Sequence, residues 1–177
     1  EMCIRDSDNI LLNSSGIKYS PAVAKGLSEC KLQLTVSVDA GCQETYEKIK
    51  LVPTYEKVCD NLRRYAAAQK EDKDRVCSKF IIVPEYNDSE AEIEGWLENT
   101  HDLGIKHVSI DIDLRWVQKN FDKLKQERRI YDLILYTQHI AERENLVLRF
   151  DERASIMRKI HRVPTAVFGG TMKKIKG

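Results

Sequence analysis

Two runs of the chain alternate so regularly that they leave little choice of local structure. In QLTVSVDAG (residues 33–41), Gln33, Thr35, Ser37 and Asp39 share one parity, while Leu34, Val36 and Val38 share the other. In KHVSIDIDLRW (residues 106–116), His107, Ser109, Asp111, Asp113 and Arg115 alternate with Val108, Ile110, Ile112 and Leu114. A period of two is that of a β-strand, whose successive side chains point to opposite faces. Each strand is therefore apolar on one side and polar on the other. Strands buried on both faces of a parallel sheet read instead as near-continuous apolar runs.

The surroundings of these runs favour a parallel sheet all the same. DNILLNSSG supplies a short strand, and SPAVAKGLSEC follows it with Ser20 as helix cap and Pro21 in the first turn, where a missing N–H costs nothing. After the first alternating run, Glu44 to Gln69 reads as helix interrupted at Pro53, with Tyr55, Val58, Leu62 and Tyr65 at helical spacing. KEDKDR is a charged turn and CSKFIIVPEYN the next strand. Asn87, three residues before Glu90, resembles a capping box; the helix it opens carries Ile93, Trp96, Leu97 and Leu103 and closes at Gly104. The second alternating run precedes an amphipathic region from Val117 to Glu144, LVLRF reads as a short fifth strand, and TMKKIKG as a loose basic end. Strands alternating with helices build right-handed βαβ units, so the fold class is α/β with a parallel sheet.

Two explanations of the polar faces stay open. A sheet edge carries charge readily when one of its faces is solvated. A barrel or part-barrel instead packs its outer face on helices and lines a cavity with its inner one. Two strands with polar residues at matching ends favour the cavity, and place Ser37, Asp39, Asp111, Asp113 and Arg115 near C-terminal strand ends, where such folds keep their chemistry.

Composition narrows the partners. With 42% apolar and 32% charged residues and a net charge of +1, the 177-residue chain has the make-up of a cytoplasmic globular protein. No basic excess points to nucleic acid, and no apolar run is long enough to span a membrane. The five cysteines (Cys3, Cys30, Cys42, Cys59 and Cys77) show no CxxC spacing, so most are expected as small core residues and not as metal ligands. His101, His139 and His161 lack ligand partners at helical spacing, and Trp96 and Trp116 are expected to pack.

The ordered strands resemble the later part of the radical S-adenosylmethionine (radical SAM) core domain. ILLNSSG is similar to that family's third strand, LTVSVDAG followed by ETYEKIK to its fourth, KFIIVPEYND to its fifth, and VSIDID to its sixth. The similarity runs from about Asn9 to Phe121. The CxxxCxxC loop that binds the family's [4Fe–4S] cluster is not present in the sequence. The first seven residues, EMCIRDS, resemble a translated sequencing-adapter remnant. The expected division is therefore 1–7 artefact, 8–121 the later part of a (β/α)6 partial barrel missing its first strands, and 122–177 a helical extension with a basic tail.

The resemblance implies S-adenosylmethionine as cofactor and, in a full-length parent, the cluster, with an electron donor such as flavodoxin or ferredoxin. The reduced cluster would cleave the cofactor to a 5′-deoxyadenosyl radical that takes hydrogen from a small-molecule or peptide substrate. Ser37, Asp39, Lys79 and Asn13 are implied to face the cofactor. Asp111, Asp113 and Arg115 are implied to form the rim near adenine or substrate, unless Arg115 simply pairs with Asp113. Two rival readings stand beside this one. The first is a Schiff-base aldolase or isomerase on a TIM-like barrel with Lys79 as nucleophile. The second is a non-catalytic flavodoxin-like module, although the glycines form no phosphate-binding pattern. An inactive fragment with unmet strand edges is a further possibility.

Overall fold

Local signals set most element ends in the computed structural model, which describes residues 10–69 and 74–161. EMCIRDS, most of KEDKDR and the basic tail lie outside those residues. Strand β1 (Ile10–Ser14) ends in a turn at Gly16, whose φ of +73° and close approach to Val36 exclude a side chain. Helix α1 (Pro21–Ser28) has Ser20 as its cap, the hydroxyl accepting from the Val23 N–H, and Pro21 in its first turn. Strand β2 (Leu32–Ser37) leads to α2 (Gln43–Lys50) and α3 (Tyr55–Ala68), separated around Pro53 as expected, with Leu51 in the left-handed region. Then come β3 (Val76–Ile82), α4 (Glu90–Asp102), β4 (His107–Ile112), α5 (Leu114–Lys119), a 3-10 turn (Phe121–Gln126), α6 (Arg128–Arg143), β5 (Val147–Phe150) and α7 (Glu152–Ile160).

Two boundaries differ from the sequence expectation. Helix α4 is capped by Ser89, which accepts from the Glu92 N–H, and not by Asn87. Asn87 is fully buried and binds loop backbone: its Oδ1 accepts from Val83 N–H, and its Nδ2 donates to the carbonyls of Asp39 and Ile81. Strand β4 stops at Ile112, because the Asp113 carboxylate accepts the Trp116 N–H at 2.8 Å and starts α5. Asp113 and Arg115 thus leave the strand whose parity they continue.

The five strands pair in chain order, β1-β2-β3-β4-β5, and every pair is parallel. Each crossover moves the chain one strand further in the same direction. With right-handed connections, that progression puts the covering helices on one face of the sheet. A doubly wound sheet reverses its strand order at a switch point. Among the described strands no reversal occurs, which speaks against the flavodoxin-like alternative and for a partial-barrel arrangement. Strand β5 lies beyond the boundary expected at residue 121, yet it pairs with β4 and extends the same sheet.

Burial follows from this one-sided cover. Leu34, Val36, Phe80, Ile82, Val108 and Ile110 are at most 2% exposed on the helix face, packed with Leu27, Val58, Leu62, Ile93, Trp96 and Leu97. Each such side chain stabilises the fold by about 1.5–3 kcal/mol on burial. Trp96 is packing, as expected: its ring lies 5.0 Å from Phe80 and its Nε1 donates to the Ser78 hydroxyl. Cysteines 30, 59 and 77 are only half-buried and Cys42 is exposed, so the expectation of buried core thiols is corrected. Among the described residues, no helix is long and apolar enough to cross a membrane.

Candidate functional site on the open face of the sheet

The face left without helices carries the polar parity of every strand. Register fixes which side chains are neighbours. Asn13, Thr35, Cys77 and His107 form one row across β1 to β4. Ser37, Lys79, Ser109 and Arg149 form the next, across β2 to β5. Towards the C-terminal ends follow Ile81 and Asp111, then Asp151 just past β5. The parity of Lys79 in CSKFIIV is thereby settled: it lies on the open face, beside Ser37.

A charge network closes the C-terminal edge. Lys79 Nζ donates to Asp151 at 2.6 Å and lies 3.8 Å from Asp111. Arg149 Nε reaches the other Asp151 oxygen at 3.1 Å. The Asp111 carboxylate, 3% exposed, accepts from the Arg153 and Ala154 N–H groups at the start of α7 and pairs with the Arg153 guanidinium. That guanidinium also donates to the Ile112 carbonyl at 2.6 Å. Asp111 therefore fastens α7 to β4, and is enclosed where the rim role would leave it open. A nucleophilic lysine needs burial among apolar groups or neighbouring cations. Lys79 is instead ion-paired to two carboxylates, which weighs against the aldolase reading.

The other residues singled out by sequence divide cleanly. Asn13 is exposed and Ser37 half-buried, and neither side chain has a hydrogen-bond partner among the described residues. Asp39 is 4% exposed in a left-handed turn, where it pairs with Lys50 and accepts the Ile81 N–H at 2.7 Å. Burial pushes its carboxyl above the ordinary value, against the pull of Lys50 and of that N–H. Asp113 caps α5, and Arg115 stands exposed on the same helix with no ion pair to Asp113. His161 donates or accepts through Nε2 to the Leu124 carbonyl and stacks on Tyr131, which makes it a satisfied packing histidine. Asp151, Arg149 and Arg153 were not anticipated. Continuing the alternation of LVLRF by one residue, to Asp151, gives the signal for the first two.

The pair at Asp39 makes a stability prediction. Lys50→Met leaves a buried carboxylate with one backbone donor, an expected loss of about 3 kcal/mol. Asp39→Asn in that background removes the stranded charge and should recover part of the loss. Urea denaturation of the three variants checks both; equal midpoints for Lys50→Met and wild type would disprove the pairing.

No protein-family model matches the sequence, and no curated protein matches it. Among solved structures, the fold is similar to a radical SAM methyltransferase from Sphaerobacter thermophilus, with a TM-score of 0.52 and 17% sequence identity. The alignment covers 82% of this chain and 41% of that one, so the chain spans about two fifths of the length of the structure it matches. At this identity the likeness speaks for the fold alone: an α/β chain with five parallel strands paired in chain order. Among the described residues, no group of three or more His, Cys, Asp or Glu side chains stands together to hold a metal ion.

Proposed function

We propose that the chain is the later part of a longer radical SAM enzyme, its open face forming one wall of the cofactor and substrate chamber. The observation that carries this reading is the unreversed strand order, which leaves a polar face free of helices. When bound, the cofactor and its cluster supply reductive cleavage of S-adenosylmethionine and hydrogen abstraction from substrate. The described residues do not fit the cluster, which is assigned to the remainder of the parent protein. They do fit a share of S-adenosylmethionine. The Asn13 amide and the Ser37 hydroxyl both donate and accept, and both point to the open face without partners. Asp39 acts through others: its carboxylate holds the β3 end at Ile81, and so sets the height of the Ser37 row. Lys79 faces the same space but is held in the charge network.

The test is titration of the chain with S-adenosylmethionine by calorimetry, comparing wild type with Ser37→Ala. Loss of one neutral hydrogen bond, about 1 kcal/mol, corresponds to a roughly fivefold weaker Kd. Equal affinity in the two proteins would remove the role of Ser37, and absence of any binding would count against the reading. Reconstitution of this chain with iron and sulfide is expected to give no iron–sulfur absorbance.

A further inference from the structure

Surface cations in this chain are mostly offset by a carboxylate close by. Lys25, Lys31, Lys48, Arg63, Arg128 and Arg143 each pair with an acidic side chain within four residues. The strap that joins β4 to α6 departs from that pattern. Arg115, Lys119, Lys123 and Lys125 are all exposed, and none forms an ion pair among the described residues. Residues 114–126 hold these four cations and one carboxylate, Asp122, in a chain whose net charge is +1. Arg115 and Lys119 lie one turn apart on α5, where like charges repel.

Two exposed apolar side chains stand in the same strap. Leu114 is 48% exposed and Phe121 66%. The strap itself is firmly seated. Val117 and Leu124 are buried, Asn120 Nδ2 donates to the Trp116 carbonyl at 2.9 Å, and the Leu124 carbonyl lies 2.7 Å from His161 Nε2. A fixed display of an aromatic ring and a leucine among unpaired cations has the make-up of a protein interface, an apolar centre with a polar rim.

We infer that the strap docks an acidic peptide segment of a partner protein. Phe121 and Leu114 meet an apolar side chain of that segment, while Arg115, Lys119, Lys123 and Lys125 face its carboxylates. Charge complementarity selects this partner. A membrane surface fits less well: α5 and the 3-10 turn are six residues each, too short for the apolar stripe that an interfacial helix buries. Nucleic acid fits less well too, because Asp122 and Glu127 interrupt the positive charge that a phosphate backbone would follow. The strap starts two residues past β4, so a docked partner lies beside the C-terminal ends of the strands. Docking there needs no bound S-adenosylmethionine.

The experiment is fluorescence polarisation of a labelled glutamate-rich peptide with one central tryptophan, titrated with the chain at low salt. A saturable curve is expected, and the same peptide with glutamines for glutamates should not bind. Lys119→Gln combined with Lys123→Gln is expected to weaken binding about fivefold, through two exposed charge pairs. Phe121→Ser should weaken it about tenfold, yet have little effect on a peptide with glycine in place of the tryptophan. Arg128→Gln, which removes a cation already paired to Asp132, should leave the curve unchanged. Equal binding of the glutamine peptide overturns the proposal, as does a curve unchanged by the strap variants. An equal loss in Arg128→Gln overturns it as well, since the attraction would then be unspecific. Phosphatidylserine vesicles or oligodeoxythymidylate bound more tightly than the peptide, with the same variant pattern, overturn the peptide in favour of a membrane or of nucleic acid.

Discussion

Asp111→Ala is expected to destabilise the protein by about 4 kcal/mol, the cost of breaking a buried charge pair and stranding its hydrogen-bond partners. The Asp111 side chain is 3% exposed. Its removal leaves the Arg153 and Ala154 N–H groups without an acceptor at the start of α7, and the Arg153 guanidinium with only the Ile112 carbonyl. Lys79 keeps Asp151 and suffers less. Asp111→Asn retains an oxygen for the two N–H groups and forfeits only the charge, so its cost should be clearly smaller. Urea denaturation ranks the three proteins. Hydrogen exchange should show α7 amides losing protection ahead of the β2–β3 core, since α7 reaches β4 through this carboxylate. A midpoint for Asp111→Ala within experimental error of wild type would mean that α7 is held by packing alone.

What sequence reveals of this protein is what depends on near neighbours in the chain. Alternation in residues 33–39 and 107–112 gave two strands and their polar faces, because side-chain direction in a strand follows directly from parity. Ser20 with Pro21, and Gly104 with the preceding stripe, marked helix ends for equally local reasons. The misses have a common origin. Asp113 continues the parity of β4, yet a side chain that can cap a helix takes the following N–H groups, and no periodicity reports that competition. Asn87 looked like a cap for the same reason, and was drawn instead to the loop carbonyls of Asp39 and Ile81, which only the folded chain brings near. Asp39 and Asp111 have the polar parity of the positions that the resemblance implies to face a ligand, but their ion pairs within the chain were not legible. Their partners, Lys50 and Arg153, come from elements that sequence gives no means of aiming. The open row of Ser37, Lys79, Ser109 and Arg149 needs three registers at once, and a register slip of one residue would turn a side chain to the other face.

Gly41→Ala carries the second large effect, of about 3 kcal/mol, at the upper end for overpacking because the obstacle is backbone. The turn after β2 lies directly on α4. The Gly41 N–H donates to Glu92 Oε2 at 2.7 Å, and its carbonyl accepts from Asn99 Nδ2 at 3.0 Å. A Cβ on Gly41 would collide with the Glu92 carbonyl, and one on Gly95 would come within 2.7 Å of the Gly41 carbonyl. Two glycines facing each other let loop and helix touch, and the Glu92 carboxylate fixes the contact further by accepting from Thr45 Oγ1 at 2.7 Å. A side-chain clash relaxes by rotation, but a helix carbonyl moves only with its helix. For a chain of this size, such a loss lowers Tm by about 6–12 °C. The strain also reaches the open face, because Asp39 sits two residues before Gly41 and holds the end of β3. On the proposed function, Gly41→Ala should also weaken S-adenosylmethionine binding through the Ser37 row, besides lowering Tm. Alanine tolerated with a Tm change under 2 °C would mean that the turn stands off the helix, and that nothing beyond Asn87 and Asp39 sets the height of the strand ends.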